Sequence, residues 1–565
     1  MLRRLLAQAA FAAVLSLCFC NVAAAQVPGS ANPGRIEERF KTPPAPKSAP
    51  EIEIPGPEAP LPPEKAQSIH FTLTGVVVDG ATVFSQADFA SLYDPLVGKD
   101  ITLAQIYDLR DAITAKYRAA GYVLSQAIIP PQKIANGIVH IQIVEGYIDH
   151  VEYQGDSGDG RGLIREMADK ITQSRPLNVH VLERYVLLIS DIPGVTVRTV
   201  IKPAKDTPGA ADLVLILAHD TVSGTVEADN RGSKAIGPEQ GQIALNLNSL
   251  FGLDEQTTFQ GATTGQPKEL QYGRFDSAWI LNAEGTRLDL SGSYSHTKPS
   301  GSISVLDPVG YAVNASGFVD FPLVRSRSEN INLSAGVTYL NSVTKLLGSP
   351  FSNDRLRYLT LRATFDAADT FLGDVYPASN LIEAEASQGL DVLDASRNGA
   401  TDLSRANGRN DFTLFDATAT RIQTLADRIS LKLSATGQIS RTPLLTPVQF
   451  GLGGSQFGRG YEPSELTGDE GIAGSVEGRY DIPFVSQIIG QPQLYAFYDA
   501  GEIWNRDALP GTPQHASLTS AGAGIRFIAL GRFDVDFELA KPLTRKIASR
   551  GDKNIRPLFD ISTRF

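Results

Sequence analysis

Few residues of this chain combine the types and spacing that bond-making chemistry needs. Seven histidines (70, 140, 150, 180, 219, 296 and 515) are scattered without the spacing of a ligand set, so no metal is expected. "GLGG" at 451–454 offers Gly451-x-Gly453, but a nucleotide loop needs a further glycine where Gln456 stands, with a strand before it and a helix after. Nothing resembles the nucleophile elbow of a Ser/His/Asp hydrolase. What remains is one cation in a distinctive setting. In "LGGSQFGRGYEPSEL" (452–466) Arg459 lies between Gly458 and Gly460, with Phe457 and Tyr461 outside them. The glycines permit a sharp turn, and the aromatics could anchor its tip. A guanidinium is never deprotonated, so a packed tip requires a counter-charge. An exposed Arg on a Gly-rich hairpin fits the same residues. Either way the chemistry on offer is ion pairing, and neither an enzyme nor a cofactor is expected.

The surroundings of that loop begin with the compartment. "MLRRLLAQAAFAAVLSLCFCNVAAAQ" has a basic start at Arg3 and Arg4, an apolar run from Leu5 to Phe19 and a small-residue exit at Ala23–Ala25. This is the pattern of a cleaved secretory signal, residues 1–25, rather than an anchor. Both cysteines, Cys18 and Cys20, fall inside it, which excludes disulfide-stapled folds and cysteine-ligated metals in the mature chain. Residues 1–25 hold two bases and no acids, so their removal takes the formal charge from −11 to −13. An acidic chain without basic clusters is a poor partner for nucleic acid. No later apolar run approaches the ~18 residues of a spanning helix.

Next come the elements. Residues 26–41 include "PGRIEERFK", a short amphipathic helix after Pro33, or else a disordered mature N-terminus. Residues 42–67 form a linker in which Pro43, Pro44, Pro46, Pro50, Pro55, Pro57, Pro60, Pro62 and Pro63 leave no room for a packed element; as polyproline, at ~3.1 Å per residue, it reaches roughly 75 Å. Residues 68–146 read β-α-α-β-β. A strand covers 69–78, Ser85 with Asp88 and Thr102 with Gln105 make two capping boxes, and Leu103, Ile106, Leu109, Ile113 and Tyr117 form one helical face. Residues 147–220 repeat the order, with helices at 162–171 and 178–190. Two tandem units argue for modules rather than an enzyme core.

From 221 to 565 the pattern changes to alternation. "ISLKLSAT" (429–436) sets Ile429, Leu431, Leu433 and Ala435 against Ser430, Lys432, Ser434 and Thr436; "FDVDFEL" (533–539) behaves alike. In an exported, cysteine-free chain, 345 such residues fit a closed transmembrane antiparallel β-barrel better than a soluble sandwich. About 22 residues per strand and connector suit 16 strands. The chain ends "LFDISTRF", where Phe559, Ile561, Thr563 and Phe565 share a face, and a terminal aromatic resembles the sorting signal of outer-membrane barrels. The expected fold class is mainly β: a transmembrane barrel of 16 strands preceded by two β-α-α-β-β modules.

These residues together resemble the outer-membrane transporters of two-partner secretion, the haemolysin secretion/activation (TpsB-type) proteins of the POTRA-plus-barrel superfamily. The likeness rests on "YRAAGYVLSQAIIPPQKIANGIVHIQIVEG" (117–146), on "LERYVLLISDIPGVTVRTVIKPAKDTPGAADLVLIL", and on "DNRGSKAIG", "FPLVRSRSENINLSAG", "EASQGLDVL", "LSRANG" and "QFGLGGSQFGRGY" in order. It implies that POTRA modules capture an unfolded, mostly β-helical exoprotein in the periplasm and that the pore conducts it without ATP. It implies a pore plug at 34–41 and an extracellular loop around 450–470 that folds into the lumen. There "GRGY" would place Arg459 against an acid in a Phe-x-Asp-x-Gly motif, which "FYDAG" (497–501) supplies as Asp499. In a wet lumen a pair at 4 Å is worth ~1–4 kcal/mol before desolvation, a latch able to hold and to yield. Gly458 stands where the family usually has Val, which implies a more mobile tip. Implied partners are the exoprotein, outer-membrane lipid and, during biogenesis, the barrel-assembly machinery and periplasmic chaperones. A barrel-assembly factor of the same superfamily and a passive porin are the rival readings.

Overall fold

The computed structural model describes residues 28–41, 52–53, 65–204, 207–484, 486, 488–508 and 512–565. The signal segment 1–25 and most of the proline-rich linker lie outside the described residues. Helices are named α1 (Ile36–Phe40), α2 (Gln86–Tyr93), α3 (Leu103–Ala119), α4 (Leu163–Thr172) and α5 (Val179–Ser190).

Both capping boxes form at the first module's helices: the Ser85 amide donates to Asp88 at 2.8 Å and the Thr102 amide to Gln105 at 2.9 Å. On α3, Ile106, Leu109, Ile113 and Tyr117 are buried together with Phe89 of α2, over a sheet of Gly75–Asp79, Ile138–Val144 and Gln126–Ile128. The strand expected over 69–78 is instead two strands in different sheets. His70–Thr72 pairs with Asp100–Thr102, and Gly75–Asp79 pairs with Ile138–Val144. The handover falls at Leu73 and Thr74: the Leu73 carbonyl accepts from Gly98, while the Thr74 amide donates to Gly137.

In the second module α4 and α5 bury Leu163, Ile164, Met167, Leu182 and Ile189 against strands Tyr147–Gly155, Val195–Pro203 and Ala210–His219. One strand in this sheet corrects the reading of the linker as free of packed structure. Ile52–Glu53 pairs in parallel with Thr199 and Val200 on the sheet's outer edge. The physical reason is local, since 51–54 is a proline-free window between Pro50 and Pro55 whose amides can join a ladder.

Sixteen antiparallel strands, from Val222–Asp229 to Arg556–Arg564, then close into a barrel, the last pairing with the first over Thr225–Asp229 and Asp560–Arg564. Its patterning is inverted relative to a soluble core. Ile429, Leu433 and Ile439 point outward and stay exposed, whereas Thr418 and Thr420 meet Thr436 and Ser434 across the lumen face. No helix among the described residues is long and apolar enough to cross a membrane, so strands do the crossing. Phe565 closes the seam: its amide donates to Gly224 at 3.0 Å, and a Cβ on Gly224 would come within 2.5 Å of its ring.

The second module is fastened to the near rim of the barrel. Arg325, 2% exposed, makes a two-pronged pair with Asp191 at 2.8 and 2.9 Å. Lys170 and the Tyr185 hydroxyl each donate to Glu284 at 3.0 Å, and Ile280 and Ala283 of the same barrel turn complete the module's own core. Residues 28–41 lie in the lumen, where two 3-10 turns lead into α1 and meet wall residues such as Ser293, Ser295 and Asn314. The loops at the far end of the barrel are longer, notably 390–412 and 441–469.

Candidate functional site

The loop 441–469 turns inward because a short hairpin stiffens it. Phe450–Leu452 pairs with Leu466–Gly468, and Leu452, Tyr461, Leu466, Ile503, Leu518 and Ile547 bury one another inside the barrel. Beyond the hairpin the tip reaches the wall at Asp499. Gly458 has φ +86°, a conformation L side chains rarely adopt, and a Cβ there would also come within 2.8 Å of Leu518. Gly460 has ordinary φ but lies against backbone, since a Cβ would meet the Lys541 carbonyl carbon and the Pro542 nitrogen at 2.8 Å. Tyr461 is 1% exposed and its hydroxyl accepts from the Arg545 amide at 3.1 Å; Phe457 is partly buried beside it. The greater mobility implied by Gly458 is not what this packing describes: glycine here supplies the left-handed turn that brings two backbone amides onto Asp499.

Arg459 is held on every side. Its Nη2 donates to Asp499 Oδ1 at 2.9 Å and its Nε to Oδ2 at 3.2 Å, while the Gly458 and Arg459 amides donate to the same carboxylate. Its Nη1 donates to Glu477 Oε2 at 2.6 Å, and its carbon centre sits 3.4 Å from the Phe497 ring centroid. Arg459 is 8% and Asp499 0% exposed, so the pair is dry rather than in a wet lumen. That alters its energetics: two desolvated charges are tolerated only because each is fully paired, and removing one partner costs roughly 3–5 kcal/mol.

The sequence reading brought Arg459, Asp499, Gly458, Gly460, Tyr461 and Phe457 to one place and missed Glu477. Alternation on Glu470–Asp481 puts Ser475 and Glu477 on the lumen face, and the register sets Ser475 opposite Asp499. Only that register distinguishes Glu477 from the other lumen acids. Glu477 also accepts from Arg479 at 2.9 Å and Arg526 at 3.0 Å.

The N-terminal plug meets both wall and lid. Glu37 accepts from Ser293 at 2.6 Å and Asn314 at 2.8 Å and pairs with Arg274; Phe40 stacks on Tyr272 with centroids 5.1 Å apart. Arg35, 2% exposed, donates to Gln449 and Ser464 of the lid. Among the described residues one carboxylate trio, Glu227, Asp229 and Asp560, brings oxygens within 4.8 Å of one another beside the seam. Gln242 already donates to Glu227, and Gln240 and the Arg231 amide to Asp229.

Two family models match this architecture: the POTRA domain, ShlB-type, over residues 71–146, and the haemolysin secretion/activation protein ShlB/FhaC/HecB over residues 214–527. The heme/hemopexin transporter protein HuxB of Haemophilus influenzae (strain 86-028NP) is 23% identical over 537 residues, covering 93% of each chain. The outer membrane transporter CdiB of Escherichia coli O6:K15:H31 (strain 536 / UPEC) is 24% identical over 410 residues, 71% of this chain and 67% of that one. The solved structure of CdiB from Escherichia coli superposes with a TM-score of 0.72 at 20% identity, covering 92% of this chain and 94% of the other, a likeness of fold.

Proposed function

The chain belongs to the haemolysin secretion/activation family of ShlB/FhaC/HecB type, and from that membership we propose how it handles its cargo. It is an outer-membrane transporter with periplasmic POTRA modules, the pore for a secreted exoprotein. The cargo is a large, β-helical protein held unfolded in the periplasm. It adds strands to open sheet edges of the first module, because added strands satisfy backbone groups whatever the side chains. The second module is less free for this task. Its helices face the barrel rim, and Ile52–Glu53 covers its outer edge. Transport uses no ATP and no catalytic group; cargo folding outside supplies direction. During biogenesis the strand ending in Phe565 is what periplasmic chaperones and the barrel-assembly machinery recognise, and outer-membrane lipid surrounds the finished wall.

The observation that carries the transport reading is the lid tip: a buried Arg459 clasped by Asp499 and Glu477 inside a barrel that also holds a plug. A passive porin has no use for either obstruction, and the haemolysin secretion/activation match over residues 214–527 favours secretion over barrel assembly. The test is export of the cognate exoprotein by cells carrying Arg459→Ala, with barrel insertion checked in parallel. We expect an inserted barrel whose export falls at least tenfold. Undiminished export, with other outer-membrane proteins falling in abundance, would instead support barrel assembly.

A further inference from the structure

A second buried ion pair sits at the far mouth of the barrel, away from the lid tip. Asp469, the last residue before strand Glu470–Asp481, is 0% exposed, and Arg405 of loop 390–412 is 7% exposed. Arg405 Nη2 donates to Asp469 Oδ2 at 3.1 Å, its Nη1 to Asp469 Oδ1, and Nη1 also to the Leu444 carbonyl at 2.6 Å. Asp469 in turn accepts from the Leu444 amide at 2.8 Å and the Arg506 amide at 2.9 Å. Leu444 and Asp469 are the two roots of the lid loop, so one carboxylate pinches them together and one guanidinium grips both.

Loop 390–412 is placed to roof the pore. It leaves strand Ala378–Gly389 and returns to Thr413–Ala426, yet the Ser404 amide donates to Asp354 of strand Ser349–Asp369 and Asn407 donates to Asp507, beyond strand Ile489–Trp504. Its underside packs Leu403 and Phe412 on Leu444 and Leu445.

We infer that Arg405 and Asp469 are positioning residues of an outer latch, which must open for cargo to leave. The lid is stiffened by the hairpin, so it moves as a lever about the strand ends at Ser440 and Glu470 rather than by bending. Asp469 and Leu444 turn with that lever, whereas Arg405 belongs to a different loop and does not. Rotating the lid out of the lumen therefore breaks the Arg405 contacts. It also lifts loop 390–412 off the apolar faces of Leu444 and Leu445. This inference rests on the transport reading above.

The test uses the full-length protein with a reducible lock. Gly408 approaches Leu445 closely: a Cβ at 408 would lie 2.6 Å from Leu445 Cδ2, a clash that Leu445→Cys relieves. The sequence contains two other cysteines, both within residues 1–25. Cells carrying Gly408→Cys with Leu445→Cys, or Arg409→Cys with Leu444→Cys, whose backbones form a bridge, should the first pair not insert, are treated with a bis-methanethiosulfonate; each cysteine thiolate displaces methanesulfinate and forms a disulfide to the spacer, which reductant cleaves. We expect export to fall at least tenfold when locked and to recover with reductant. Locked export within threefold of the reduced form overturns the latch. In a parallel arm, Asp469→Asn in planar bilayers should raise the frequency of open events several-fold, and an unchanged frequency overturns it. If the reduced protein exports nothing, the transport reading has failed separately and the bilayer arm decides the latch alone.

Discussion

Asp499 takes six hydrogen bonds: two from the amides of Gly458 and Arg459, two from the Arg459 guanidinium and one each from Ser475 and Ser520. Arg459 in turn hydrogen-bonds two acids, with Glu538 a third at 3.8 Å, and this makes the halves of the latch unequal. Without the guanidinium, Asp499 remains buried with neutral donors alone, whereas Glu477 keeps Arg479 and Arg526. Without the Asp499 charge, Arg459 still holds Glu477. Asp499→Asn should therefore loosen the tip by about 1–3 kcal/mol, less than the roughly 3–5 kcal/mol of Arg459→Ala. Asp499→Asn with Glu477→Gln should approach the Arg459→Ala loss. Trypsin added to intact cells reads this directly, since it cleaves after Arg459 when the tip leaves the lumen. Each ~1.4 kcal/mol raises the exposed fraction about tenfold, so cleavage should rank wild type, single variant, double variant. Equal cleavage in the two variants would show that Glu477 holds nothing. The Arg459–Asp499 pair was legible because both residues sit in short motifs of fixed form. Glu477 and Asp469 were not, because what selects them among many lumen and loop acids is strand register and loop contact, which no local pattern encodes.

At the scale of elements, helices were the more legible. The boxes at Ser85 and Thr102 and the spacing on α3 are signals within a few residues of one another. The division of 69–78 between two sheets depends on Gly98 and Gly137, far along the chain, and the strand at 52–53 depends on an edge supplied by the second module. Long-range partners also settle Glu145, one residue past the first module's last strand, Ile138–Val144. It accepts from the Thr82 and Val83 amides at 2.7 and 3.1 Å and from the Tyr117 hydroxyl at 2.9 Å, tying the 80–84 turn to α3. Burial pushes its carboxyl up, but the hydrogen bonds from Thr82, Val83 and Tyr117 outweigh this and hold it below the ordinary glutamate value. A depressed folded value means that the stabilisation is complete above the unfolded value of about 4.3 and is lost as pH falls through the lower folded value. The first module's melting transition in the full-length protein should thus be flat above about pH 5 and drop below about pH 4. Glu145→Gln should lower its stability by about 1 kcal/mol at neutral pH, because solvent screens a half-buried group, and should remove its share of the acid drop. An unchanged acid profile in that variant would assign the drop to other carboxylates.

Across the whole molecule, closure is shared by three parts in series: the plug touches the lid, and the lid touches loop 390–412. The plug is bound to the wall through Glu37 and Phe40, and to the lid through Arg35. It could act as filler, with the lid closed independently, or as a prop without which the lid loosens. The geometry of Arg35 favours the prop. Its Nη1 donates to the Gln449 carbonyl and its Nε to Ser464 at 3.3 Å, so it supports the hairpin from both sides. A Cβ on Gly451 would collide with its guanidinium, which places Arg35 directly against the lid's backbone. Deleting 26–41 should raise pore conductance under either view, because the plug occupies lumen volume. The distinguishing variant is Arg35→Ala, which leaves Glu37, Ile36 and Phe40 to keep the plug seated. If Arg35 props the lid, this variant should keep the wild-type closed conductance in planar bilayers while brief openings become several-fold more frequent. Openings at the wild-type frequency would mean that the plug only fills space and that the lid is held without it, by Asp499, Glu477 and the Arg405–Asp469 contacts.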